Sequence, residues 1–220
     1  MCVLLKYVFF DFPTDATLTD RANVVRFFTR LSEDGEFRCA DVPDAAPDAF
    51  DRQWQNVLRM RPKNAWLAFD NAAGLTITFG VYPGEWRRWY AMVYGGVISA
   101  PTSHEHVRSM VKTCELAYTT LQPDYGFGLI SLESQLVPAP GENVLSALYD
   151  YNFLSQRLVE QLGGRDKVLS VPAWRTREFD DGGILLEMSP HPIVERKTYA
   201  PNYQQAAQML GIPKYYQGGA

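Results

Sequence analysis

The chain has 220 residues, 46% hydrophobic and 21% charged, a globular profile that we read as one domain spanning residues 1–220. The formal net charge of −4 is concentrated locally: residues 31–51 hold seven carboxylates against one arginine, a net −6, and the remainder carries about +2. This balance excludes the spread basic face that nucleic acid or an anionic membrane would attract, and it suits a basic protein partner.

The opening run "MCVLLKYVFFDFPTD" is apolar, but Lys6 interrupts it, Asp11 follows closely and no small-residue cleavage site is present. It reads as neither a signal peptide nor a membrane span, and "VLLKYVFFDF" is expected to be a buried first strand. In "LTDRANVVRFFTRL", Val24, Val25, Phe27, Phe28 and Leu31 form a helical stripe that Thr19 or Asp20 can cap.

The acidic stretch follows. Glu33, Asp34, Glu36, Asp41, Asp44, Asp48 and Asp51 fall in a segment broken by Pro43 and Pro47, which predicts an exposed connection before a short helical pattern around Phe50, Trp54, Val57 and Leu58. Such a run is either a solvated loop or a partner-facing surface. These seven residues are candidate partner-binding positions.

"AWLAFD", "LTITFGVYP" and "EWRRWYAMVYGGV" are rich in β-branched and aromatic residues and separated by turn signals, so they read as consecutive antiparallel strands. Trp86 and Trp89, with Arg87, Arg88 and Tyr90, are of the residue types that dominate protein interfaces, and both tryptophans join the candidate partner-binding positions. Strand alternation puts Trp86, Arg88 and Tyr90 on one face and Arg87 and Trp89 on the other, which assigns at least one tryptophan to the core. Single-stranded nucleic acid would need further basic interleaving, which the segment lacks.

"PTSHEHVRSMVKTCELAYTTLQP" predicts a helix with a Thr102–Glu105 capping box, a face of Val107, Met110, Val111, Cys114, Ala117, Tyr118 and Leu121, and a stop at Pro123. That helix is expected to pack Met110, Cys114 and Tyr118 against a sheet containing residues 75–97. "YGFGLISLE" reads as a strand, and "LVPAPGEN" (Leu136 to Asn143) as a loop or linker. "ENVLSALYDYNFLSQRLVEQLGG" predicts a second helix, with Val144, Leu148, Tyr151, Leu158 and Leu162 near one face, ending at Gly163–Gly164. Strands at 167–174 and 183–188 and a short helix from Asn202 to Leu210 complete an α+β pattern of mostly antiparallel sheet with packed helices.

The motifs of chemistry are sparse, and we assign no catalytic residue, no metal site and no cofactor. Residues two apart on a helix point about 200° from each other, so His104 and His106 cannot share an ion, and the capping role explains the segment better. His191, between Pro190 and Pro192, reads as a surface loop residue. Cys2, Cys39 and Cys114 lack metal spacing, and their odd number argues against a disulfide framework and for the reducing cytoplasm. No nucleophile elbow, phosphate-cradling loop or dinucleotide fingerprint occurs. Asp181 followed by Glu195-Arg196-Lys197 matches the skeleton of a metal-dependent nuclease, provided Glu195 and Lys197 share one face of a strand.

The region from "AWLAFD" to "GEWRRWYAMVYGG", the segment "YNFLSQRLVEQLGG", the strand "DDGGILLEM" and the closing "YQQAAQMLGIPKYY" together resemble the immunity protein 52 family of bacterial polymorphic-toxin systems. The likeness covers most of the chain and is weakest in residues 1–60. It implies an α+β fold with tryptophan motifs, encoded beside nuclease toxins of restriction-endonuclease type that include type VI secretion effectors. It implies no catalytic residues. Which of Trp54, Trp66, Trp86, Trp89 and Trp174 matches the family's motif stays open, as does oligomeric state. The function expected is therefore a non-catalytic immunity protein whose partner is a cognate toxin, a nuclease effector, with no direct binding of nucleic acid or membrane; the alternatives are a metal-dependent nuclease-like enzyme and an adaptor unrelated to toxins.

Overall fold

The computed structural model describes residues 3–10, 20–33, 35–61, 65–72, 75–83, 89–97, 104–131, 145 and 147–215. The fold is α+β. Contacts gather the chain into two compact units, Met1–Pro123 and Asp124–Ala220, so the boundary follows the predicted helix stop at Pro123. The candidate linker Leu136–Asn143 lies outside the described residues.

In the first unit, strands β1 (Val3–Phe10), β2 (Phe37–Arg38), β3 (Ala65–Asn71), β4 (Thr76–Pro83) and β5 (Trp89–Val97) hydrogen-bond in the order β2-β3-β4-β5-β1. Each of these ladders is antiparallel, with Leu67 opposite Phe79, Thr78 opposite Tyr94 and Leu5 opposite Gly95. Three helices accompany the sheet: α1 (Arg21–Glu33), α2 (Pro47–Met60) and α3 (His104–Leu121). Asp20 caps α1, its Oδ1 accepting from the amides of Ala22 (2.8 Å) and Asn23 (3.2 Å).

The stripe read from α1 becomes the core. Val24, Phe27, Phe28 and Leu31 are buried, and Val25 lies at the margin. Phe28 is enclosed by rings from three other elements, with centroids 5.8 Å from Phe50, 5.4 Å from Trp54, and 5.3 Å from both Phe69 and Phe79. All seven residues expected on the inner face of α3 are buried. The main contacts of that helix are with α1 and with β1, which pairs with β5, so it packs on the sheet that contains residues 75–97. The helix begins at His104, and Thr102 of the expected capping box lies outside the described residues.

The second unit departs from the sequence reading. Its strands are β6 (Tyr125–Ser131), β7 (Tyr151–Leu154), β8 (Arg175–Glu178) and β9 (Ile184–Glu187), paired antiparallel in the order β6-β7-β9-β8. Among the described residues the second predicted helix does not form as such: "YNFL" is strand β7, buried on both faces between β6 and β9, helix is confined to α4 (Gln156–Gln161), and Val144 lies outside the described residues. Leu148, Tyr151, Leu158 and Leu162 are all buried, but from separate elements, because a run of apolar residues long enough to fill a core has no period that distinguishes a central strand from a helix face. The stop at Gly163–Gly164 holds, with φ of 108° and 95°. Residues 167–174 form no strand. A short helix α5 (Arg165–Leu169) precedes β8, whereas the strand expected at 183–188 is β9.

The closing helix α6 (Pro192–Leu210) starts ten residues before the predicted Asn202. Pro192 sits at its first turn, where a missing N–H costs nothing, but Pro201 lies in its interior. His191, expected at the surface, is buried at the N-cap position.

Candidate functional site

The acidic stretch is largely the exposed connection that its prolines predict, and it is tied down at three points. Phe37, Cys39 and Val42 are buried and peg the chain to the first unit. Two successive turns follow, closed by Val42 N–H donating to Cys39 O (3.1 Å) and Ala45 N–H donating to Val42 O (3.3 Å). Ala45 ends the second turn at a φ of 49°, and α2 then begins at Pro47, inside the stretch. The third residue of each turn is an aspartate, Asp41 and Asp44, and both are exposed. Burial pushes the Cys39 thiol up, opposed by the Asp41 and Val42 amides that point at its sulfur.

The seven carboxylates divide by what they touch. Asp51 is held by both arms of the Arg21 guanidinium and by Gln55 Nε2 (3.0 Å), and the arginine keeps its carboxyl below the ordinary value, chiefly through the hydrogen bond. Glu36 accepts from Ser109 Oγ at 2.8 Å and faces Lys112 Nζ at 3.6 Å, joining β2's approach to α3. These two serve the fold. Glu33, Asp41, Asp44 and Asp48 are exposed and make no ion pair among the described residues, although Asp48 also faces the positive pole of α2 from its first turn. Asp34 lies outside the described residues.

No known protein family matches the chain, and no curated protein sequence matches it. Among solved structures it is similar to a Pseudomonas aeruginosa T6SS protein, PA0821, with a TM-score of 0.53 and 10% identity over 99% of this chain and 76% of that chain. At that identity the likeness is one of fold.

The aromatic candidates divide similarly. Trp86 lies outside the described residues, and Trp89 opens β5 with its side chain outside them. Trp54 is core, 2% exposed. Trp66, 39% exposed on the outer face of β3, lies under the Arg61 guanidinium at 4.8 Å. Among the described residues no helix is long and apolar enough to cross a membrane, and no group of three His, Cys, Asp or Glu side chains could hold a metal ion. The strand geometry that a Glu195–Lys197 nuclease motif requires is not formed: both residues are in α6, about 200° apart around its axis, and Asp181 is spent on a turn, accepting from Gly183 N–H at 2.9 Å.

The sequence reading missed a buried polar cluster in the second unit. Asp150, fully buried, is bound by both arms of Arg196 (Nε at 2.9 Å, Nη2 at 2.5 Å) and accepts from the Tyr203 hydroxyl at 2.7 Å. Tyr203 is in turn 3.3 Å from Ser189 Oγ. Arg196 precedes Pro201 and Tyr203 follows it, so one carboxylate grips both halves of the interrupted helix. A second buried carboxylate, Glu187, has Arg175 Nη1 at 3.5 Å. Asn152 turns back on its own chain, accepting from Tyr149 N–H (3.0 Å) and donating to Tyr149 O (2.9 Å). The available signal was a lone Asp amid "ALYDYNFL", a polar residue in a run otherwise suited to the core.

Burial pushes the Tyr203 and Tyr125 phenols well above their ordinary value of 10.0, with Asp150 adding to the effect on Tyr203. Above about pH 10 the unfolded chain releases these protons while the folded chain retains them, so stability falls with rising pH by ~1.4 kcal/mol per unit for each tyrosine. Urea midpoints between pH 9 and 12 should show this loss over that of the exposed lysines. Tyr125→Phe should remove about half of the two-tyrosine slope.

Proposed function

We propose that this protein is a non-catalytic immunity protein that binds and neutralises a cognate bacterial toxin, a nuclease effector of a type VI secretion system, in the cytoplasm. The observation that carries the reading is the anchored double turn: Asp41 and Asp44, with Asp48 at the start of α2, are displayed without ion-pair partners among the described residues, on a backbone pegged by buried Phe37, Cys39 and Val42. A nuclease must focus positive potential along its phosphate path, and fixed carboxylates complement that cleft without paying a large ordering entropy. The motif resemblance to the immunity protein 52 family and the shared fold with a T6SS protein support the same reading. Cys39 and Cys114, both buried and free, suit a reducing compartment. No cofactor and no direct nucleic-acid or membrane contact enters the reading.

The test is association with the toxin encoded by the adjacent gene. Replacing Asp41, Asp44 and Asp48 together by Asn should slow association about tenfold or more at low salt, leave dissociation nearly unchanged, and lose its effect in high salt as exposed charges become screened. Stopped-flow mixing at several ionic strengths reads all three quantities. An association rate at low salt equal to that of the unaltered protein would make the stretch a solvated surface.

A further inference from the structure

Strand β8 closes the order β6-β7-β9-β8, so one of its edges has no neighbouring strand among the described residues. The turn that joins it to β9 fixes which backbone groups face that edge. Phe179 N–H donates to Gly183 O at 2.9 Å, and the antiparallel register continues with Glu178 opposite Ile184 and Arg177 opposite Leu185. Inward and outward hydrogen bonding alternates along an antiparallel strand, so Arg175 and Arg177 bond to β9 while the N–H and C=O of Thr176 and Glu178 point outward. The edge is held in place: Gly182, at a φ of 79°, shapes the turn, and the Arg165 guanidinium grips Glu178 through Nε at 2.6 Å and Nη2 at 2.7 Å. Arg175 and Arg177 share one face of the strand, and both are exposed. Arg175 Nη1 lies 3.5 Å from the buried Glu187, and the Arg177 guanidinium lies over Phe179 at 5.8 Å. A guanidinium carries more N–H donors than either contact uses.

A second copy of the chain does not fit this edge. With Thr176 and Glu178 facing outward, antiparallel pairing sets Arg175 opposite Arg175 or Arg177 of the copy, Arg177 opposite Arg177, or Glu178 opposite Glu178, according to register, and like charges directly opposite repel. The same arginines favour a strand of opposite sign. We propose that β8 accepts an extended acidic segment of a protein partner as a further strand of this sheet, with carboxylates opposite Arg175 and Arg177 and a β-branched residue between them. Those two positions are the non-hydrogen-bonded pairs of the new ladder, where facing side chains approach most closely, so each carboxylate reaches a guanidinium while the residue between them pairs with the N–H and C=O of Thr176. Backbone pairing supplies the affinity, and charge supplies the choice of segment. The ladder with β9 already orders β8, so the protein loses little entropy on binding. The proposal concerns residues of the second unit alone and goes beyond the toxin reading, which rests on the acidic stretch of the first.

Two short blocked peptides test this without any toxin, one of alternating Thr and Glu and the other with Lys in place of Glu. Added to the isotope-labelled full chain, the acidic peptide should give saturable amide shifts centred on Thr176 and Glu178 and slow hydrogen exchange at both amides. The basic peptide should bind about tenfold more weakly or worse. Arg177→Glu should reverse the preference, its fold verified by unaltered amide shifts in β6 and α6. Should that variant not fold, the comparison of the two peptides on the unaltered protein decides alone. Equal binding of both peptides, shifts confined to other residues, no shifts, or an unchanged preference in folded Arg177→Glu would overturn the proposal. Exchange protection at Thr176 and Glu178 that rises with protein concentration in the absence of peptide would make a second copy the occupant and overturn it as well.

Discussion

Phe28→Ala is expected to destabilise the protein by about 3–5 kcal/mol, the cost of deleting a fully buried ring and leaving the space it filled. The upper half of that range is appropriate because Phe28 joins α1 to four other aromatic side chains on α2, β3 and β4, and those rigid rings cannot collapse into the void as flexible aliphatic chains would. Domains of this kind hold roughly 5–15 kcal/mol in total, so the variant should unfold at a far lower urea concentration and expose apolar surface to a hydrophobic dye near body temperature. Leu58→Ala on α2, at a position 38% exposed, should change stability by only about 0.5 kcal/mol and serves as the control. A loss below about 1 kcal/mol for Phe28→Ala would show that α1 does not pack as described.

Asp150→Ala should cost a similar amount, about 3–5 kcal/mol, for a different reason: it removes the buried carboxylate that both arms of the Arg196 guanidinium, only 14% exposed, and the Tyr203 hydroxyl engage. Removing both charges tests the cause. Asp150→Ala/Arg196→Met should be more stable than the sum of the single changes by about 1–3 kcal/mol, because the arginine's charge is then removed together with the carboxylate that offsets it. The consequences should also be local. Pro201 removes a hydrogen bond from α6, and the Asp150 network holds the helix on either side of that break, so amides from Tyr203 to Leu210 should exchange faster in Asp150→Ala than those of α1. Equal acceleration throughout the chain would assign the network to global stability and not to holding α6 together.

What the sequence determined by itself was whatever local periodicity and punctuation encode. The α1 and α3 stripes were legible because amphipathic helices repeat every 3.6 residues over several turns, and the β3–β4–β5 meander was legible because alternating side chains were interrupted by turn residues. The concentration of charge in residues 31–51 was also plain from composition. Only the tertiary structure decided which of those charges are available. Glu36 and Asp51 look no different in sequence from Asp41 and Asp44, yet the first two meet Lys112 and Arg21 across 76 and 30 residues of chain, a pairing no local pattern records. The same holds for β7, where pairing with β6 and β9 overrides a helical pattern, and for α6, where long-range hydrogen bonds to Asp150 sustain a helix that Pro201 would otherwise divide. Local sequence sets the propensity of each segment, and contacts distant along the chain supply the free energy that overrules it where the two conflict.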